Sequence, residues 1–98
     1  MSELRFDWDS AKAKANQRKH GITFDEALTA FYDEQGLFMS DPEHSESEDR
    51  FVLLGLSQAL KLLVVCHCYR ESEEVIRIIS ARKADRSERR YYNERLPK

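Results

Sequence analysis

The segment Val75-Ile76-Arg77-Ile78-Ile79-Ser80-Ala81-Arg82-Lys83-Ala84 sets an arginine in the middle of an otherwise apolar strand. That placement is costly unless the guanidinium reaches water or an anion. If residues 71–73 form the hairpin loop that precedes it, Arg70 pairs with Glu74 and His67 lies directly across from Arg77. Imidazole and guanidinium then share one face of the sheet, and Cys66 and Cys68 face the other. Arg82 and Lys83 stand where the strand opens into a final helix, whose first amides also favour anions. Together these residues describe a phosphate-binding cleft. The plainer alternative pairs Arg77 with Glu74 or another acid on a solvent-facing strip and makes His67 a satisfied surface or core histidine.

Metal chemistry is the main competitor, because Cys66, His67, Cys68, His20 and His44 are all potential ligands. On a strand, however, the central His of Cys-His-Cys points away from both sulfurs, and no second cysteine pair exists to complete a zinc framework. Glu43, Glu46, Glu48 and Asp49 read as a solvated loop rather than a magnesium site. Neither a metal nor a cofactor is therefore expected. The two cysteines read as buried free thiols in a reducing compartment, since a disulfide between such close strand neighbours would be strained.

Charge distribution is more informative than charge balance. The formal net charge of −2 argues against bulk attraction to nucleic acid. Between positions 33 and 50, though, the acids Asp33, Glu34, Asp41, Glu43, Glu46, Glu48 and Asp49 oppose Arg50 alone, whereas from Arg77 onward Arg82, Lys83, Arg86, Arg89, Arg90, Arg95 and Lys98 outnumber Asp85, Glu88 and Glu94. The C-terminal third is a local basic field able to hold a polyanion or an acidic partner.

The elements that must position these groups can be read from caps and periodicity. Asp9 suits the N-cap of a helix over 10–19, which His20 and Gly21 stop; the equally plain role of His20, with Lys19, is to complement the helix dipole. Thr23 and Glu26 form a capping-box pattern, with Ile22 placed to pack on Ala27; Phe24, Ala27, Leu28 and Phe31 follow at amphipathic helical spacing. Four strands are expected at Leu37-Phe38-Met39, residues 51–56, residues 60–69 and residues 75–79, with an acidic loop at 41–49 and a turn at Ser57-Gln58-Ala59. Short connections make the last three a meander. Asp85 and Glu88 form a second capping box before a final helix that carries Tyr91, Tyr92 and Leu96. The fold class is thus α+β, a small four-stranded, mainly antiparallel sheet with two N-terminal helices and one C-terminal helix. The length of 98 residues suits a single domain. With no signal peptide and no stretch of membrane-spanning length, the expected location is cytoplasmic, with no membrane partner.

Several pieces of the chain resemble one family in order and spacing. They are Phe6-Asp7-Trp8-Asp9 with Lys12, Asn16 and Lys19-His20-Gly21; Thr23-Phe24-Asp25-Glu26-Ala27; Asp41-Pro42-Glu43-His44-Ser45 with Glu48 and Arg50; Gly55-Leu56-Ser57; Leu63-Val64-Val65; and Ile76-Arg77-Ile78-Ile79-Ser80-Ala81-Arg82-Lys83-Ala84 with Glu88, Arg89 and Tyr92. This pattern resembles the BrnT toxins of the RelE-like group, with Cys68 where threonine is common and Asp85 where threonine or another capping residue is usual. The resemblance implies a RelE-like fold, a ribonuclease that halts translation, and neutralisation by a BrnA-type antitoxin. That antitoxin would carry a ribbon-helix-helix domain, through which the complex binds operator DNA.

RNA can be cut without metal when its 2′-hydroxyl attacks the adjacent phosphorus, leaving a cyclic phosphate and a 5′-hydroxyl. The protein supplies a base, an acid and cations around the phosphorane. Arg77 and Arg82 are assigned to the developing charge because the arginine fork matches phosphate oxygens. His67 and Tyr92 are the proton-transfer candidates, and Lys83, Lys19, His20 and Arg86 are expected to bind substrate. The rival reading is a non-catalytic module whose basic final helix docks a protein or nucleic acid.

Overall fold

Local capping sets the helices. The structure, a computed structural model, describes residues 4–41, 50–70, 72 and 74–97; the expected acidic loop, with His44 and its carboxylates, falls largely outside these. The Asp9 carboxylate accepts the Lys12 N–H at 3.0 Å and starts α1 (Ser10–His20), and Gly21, at φ 72°, donates its N–H to Gln17 and ends it. That left-handed residue is one glycine adopts without penalty. Thr23 caps α2 (Phe24–Thr29) by accepting the Glu26 N–H at 3.0 Å, and the chain continues as a 3-10 turn over Ala30–Tyr32.

The reciprocal half of the expected first capping box is not made. The Glu26 carboxylate instead accepts from the Ser57 hydroxyl at 2.9 Å and lies 3.7 Å from Lys61 Nζ. Two donors from the turn after the third strand, a hydroxyl and an ammonium, take the place of the one backbone N–H. The second box, by contrast, forms fully at the start of α3 (Arg86–Glu94), between Asp85 and Glu88.

One mixed sheet of five strands replaces the expected four. In chain order they are β1 (Arg5–Asp7), β2 (Leu37–Ser40), β3 (Phe51–Leu56), β4 (Leu62–Arg70) and β5 (Val75–Lys83), arranged β1-β5-β4-β3-β2. The meander β3-β4-β5 is antiparallel, whereas β1 runs parallel to β5. Three residues carry too little alternation to announce a strand, and β1 exists only because β5, some seventy residues away, offers it an edge.

The sheet buries both faces, unequally. On one, Ile22, Phe24, Ala27 and Phe31 from the N-terminal helical segment pack on Leu53, Leu63, Val65, Ile76 and Ile78. Gly55 is needed beneath that layer, because a Cβ there would come within 2.8 Å of the Ala30 carbonyl. On the other face, Tyr92 and Leu96 of the α3 region cover Leu54, Val64 and Ala84. Their i, i+4 spacing gives α3 a single apolar stripe, so it shields one end of the sheet. No helix among the described residues is long and apolar enough to cross a membrane.

Candidate functional site

Register decides which side chains meet. Arg70 pairs with Val75, Cys68 with Arg77 and His67 with Ile78, one residue away from the expected hairpin. Because strand side chains alternate, a one-residue slip moves each to the opposite face. His67 therefore does not share a face with Arg77; it lies on the α1/α2 side, and Cys66 and Cys68 take the Arg77 side instead. His67 has 0% exposure, boxed by Phe31 and Phe38 at ring separations of 4.8 and 5.9 Å. Its Nδ1–H donates to the Val65 carbonyl at 3.0 Å, which leaves Nε2 facing the Tyr69 hydroxyl at 3.4 Å. Burial holds its pKa below the usual value, so the ring is a neutral core histidine closed off from any RNA phosphate. Cys66 is likewise inert: burial, reinforced by the Asp41 carboxylate, pushes its thiol up to about 11.

A β-bulge then corrects the geometry of the arginines. Cys66 pairs with Ser80 while His67 pairs with Ile78, which leaves Ile79 as an extra residue in β5. Residues five apart on a regular strand face opposite ways; with one residue inserted, Arg77 and Arg82 face the same way, roughly 15 Å apart along the strand. Each is held by an acid. Arg77 Nη1 lies 3.1 Å from Asp7 of β1, and Arg82 makes a two-pronged pair with Glu88 at 2.8 and 2.9 Å. The Glu88 hydrogen bond raises the pKa of Arg82, and that of Glu88 is lowered in turn. The side chains remain 30% and 44% exposed, within reach of solvent. Glu74, the acid first considered for Arg77, sits 4.0 Å from Arg5.

Tyr92 is a clamp. It is buried, and its hydroxyl donates to Asp33 at 2.6 Å; that carboxylate also accepts the Leu56 N–H at 2.8 Å and the Gln35 N–H at 2.9 Å. Burial, helped by the Asp33 carboxylate, raises the phenol to about 12, so it keeps its proton. Burial alone would raise the Asp33 carboxyl, but the hydrogen bonds from Tyr92, Leu56 and Gln35 hold it below its ordinary value of 3.8. The sequence did not single out Asp33, since only Gln35 among its partners is local and the two that bury and clamp it, Leu56 and Tyr92, lie far away in the chain.

Tyr92→Phe and Asp33→Asn should each cost about 2 kcal/mol in urea unfolding, the worth of a hydrogen bond to a charged group. The double variant should be only slightly worse than either alone. A carboxyl depressed on folding stabilises in full above its unfolded value of 3.8 and loses that contribution as pH falls through its folded value. Asp33→Asn should accordingly flatten the acid limb of a stability profile below about pH 4.

The remaining cations gather at the exit of β5. Asn16, buried on α1, donates to the Ile22 carbonyl at 3.0 Å and the Ala81 carbonyl at 2.9 Å, and accepts the Ala81 N–H at 3.1 Å. These bonds fasten the last turn of α1 to β5. Lys19 and His20, three and four residues after Asn16, lie on the same side of α1, and Lys83 shares the face of Ala81. Lys83 and Arg86 are exposed and have no carboxylate within ion-pair distance among the described residues. The predicted set is thus divided: Arg77, Arg82 and Tyr92 belong to the α3 side, Lys19, His20 and Lys83 to the α1 side. Arg82, Lys83 and Arg86 make a cationic rim at the end of β5, and the two groups lie on opposite faces there rather than in one enclosed cleft.

Comparison with known proteins agrees with this architecture. The sequence pattern of the family described as the ribonuclease toxin BrnT of type II toxin-antitoxin systems matches residues 8–88. The crystal structure of the Brucella abortus ribonuclease toxin BrnT superposes with a TM-score of 0.62 at 21% identity, covering 86% of this chain and 100% of that one. At that identity the likeness speaks for the fold. No curated protein sequence gives a significant match.

Proposed function

Because the chain belongs to the family of BrnT ribonuclease toxins of type II toxin-antitoxin systems, we propose that it is a single-domain endoribonuclease that acts in the cytoplasm, halts translation and is silenced by an antitoxin encoded beside it. The family match carries this reading, and it spans the whole of β5 and its basic exit. The bulge supports it physically by turning Arg77 and Arg82 to one face.

In this proposal Arg82, with Lys83 and Arg86, grips the scissile phosphate, and Arg77 holds a neighbouring one along the strand. The pairs with Glu88 and Asp7 do not forbid this: partly exposed ion pairs are worth about 0–1 kcal/mol, so a phosphate can take the carboxylate's place. Cleavage proceeds without metal by attack of the 2′-hydroxyl. With His67 enclosed and Tyr92 committed to Asp33, proton transfer passes to His20, half-buried at the end of α1, the helix that Asn16 fastens to Ala81 of β5. The partner is a BrnA-type antitoxin with a ribbon-helix-helix domain, through which the complex meets operator DNA.

Inducing the chain alone in bacteria should stop growth and degrade total RNA. Unaffected growth and intact RNA, with folded soluble protein present, would overturn the proposal. One observation favours a non-catalytic binding module instead, namely that both strand arginines are acid-paired. Turnover on purified RNA separates the two readings.

A further inference from the structure

A groove of ≈ 630 Å³ opens beside the start of β2, with Leu28, Tyr32 and Leu56 among its apolar lining and Asp33 and Glu34 among its polar one. An adjoining depression shares Thr29 and Gln58 with it and adds Asp25 and Glu26. Neither lining contains a lysine or arginine. Tyr32 tilts one side of its ring against Phe6 at 6.4 Å and leaves the side chain 58% exposed at the groove, where a partner can cover it.

The groove is therefore the chemical opposite of the β5 exit. Glu26 is paired with Lys61 and Asp33 with the Tyr92 hydroxyl, so the exposed Asp25 and Glu34 carry the charge that repels RNA phosphates, and the apolar floor demands more than a counter-ion. We propose that this groove docks a cationic, amphipathic segment of the antitoxin, with an apolar side chain against Tyr32, Leu28 and Leu56 and a lysine or arginine beside Glu34. Charge complementarity selects that occupant, because a basic segment is steered to the acidic edge and away from the basic rim. The inference rests on the toxin reading above, which supplies the partner. It also gives the toxin two surfaces of opposite sign, one for RNA and one for its inhibitor.

The test uses the purified chain and the purified product of the adjacent reading frame in calorimetric titration. Glu34→Lys combined with Gln58→Lys should weaken binding roughly tenfold or more by reversing the local field. Tyr32→Ala should do the same by removing an aromatic anchor. Lys14→Glu, an exposed charge reversal on α1, should leave affinity unchanged. Circular dichroism checks folding, and the exposed lysine pair carries the test if Tyr32→Ala misfolds. Parental affinity in the lysine pair would overturn the groove assignment while leaving the toxin reading in place. If the parent binds no product of the neighbouring frame, the partner reading fails and the inference falls with it. Light scattering of the chain alone supplies a further check: self-association abolished by Glu34→Lys would give the groove to a second copy and overturn the proposal.

Discussion

Arg82→Ala is expected to lower RNA cleavage by roughly a hundredfold or more, the usual loss when a group that meets transition-state charge is removed. Stability should hardly change, because the guanidinium is 44% exposed and its pair with Glu88 is of the kind worth about 1 kcal/mol or less. Urea unfolding and a single-turnover RNA assay on the same preparation separate the two quantities. Arg82→Lys should recover only part of the activity, since a point charge cannot form two parallel bonds to phosphate.

Glu88→Gln sharpens the assignment. Glutamine can still accept the Asp85 N–H and complete the capping box, yet it no longer competes as an anion for Arg82. If Arg82 serves the phosphate, Glu88→Gln keeps at least parental activity while Arg82→Ala loses it. If the pair exists only to hold α3, the two variants behave alike and the site assignment is wrong. Arg77→Ala should follow Arg82→Ala with a smaller loss, because it stands farther from Lys83 and Arg86 along the strand.

The largest effect on folding is expected at Asn16. Where β1 ends, opposite Arg77, the outer edge of β5 has no further strand among the described residues, and without Asn16 the N–H and carbonyl of Ala81 would be buried without partners there. The Asn16 amide fills that gap, accepting from the Ala81 N–H and donating to its carbonyl as a neighbouring strand would, while its second N–H holds Ile22. Asn16→Ala strands these buried backbone groups and should cost about 3–5 kcal/mol, since each unmade bond carries a desolvation penalty of about 1–3 kcal/mol. Asn16→Asp retains an acceptor but loses both donors, and it should fall nearly as far at neutral pH. Chemical denaturation checks both. A loss below 1 kcal/mol would mean that Asn16 does not tie α1 to the sheet. Activity should fail along with stability, because the position of Lys19 and His20 depends on the same bonds.

Much of this molecule was legible residue by residue. Asp9, Gly21, Thr23 and the Asp85–Glu88 box mark helix ends through bonds that reach only three or four positions, so the sequence alone places those boundaries. Apolar runs place β2 to β4 and the start of β5 in an antiparallel meander, although β5 continues past the expected end at Ile79 to Lys83, and the same order of motifs identifies the family. Tertiary structure decided everything that depends on facing. Strand side chains repeat every two residues, so a loop one residue longer than expected carried His67 into the core and Cys68 opposite Arg77, and the extra Ile79 then brought Arg82 round to the side of Arg77. Asp7, which holds Arg77, and the strand β1 that supplies it are set by packing across a long stretch of chain that no local pattern records, whereas Glu88 stands only six residues from Arg82 and meets it because Arg82 faces the α3 side.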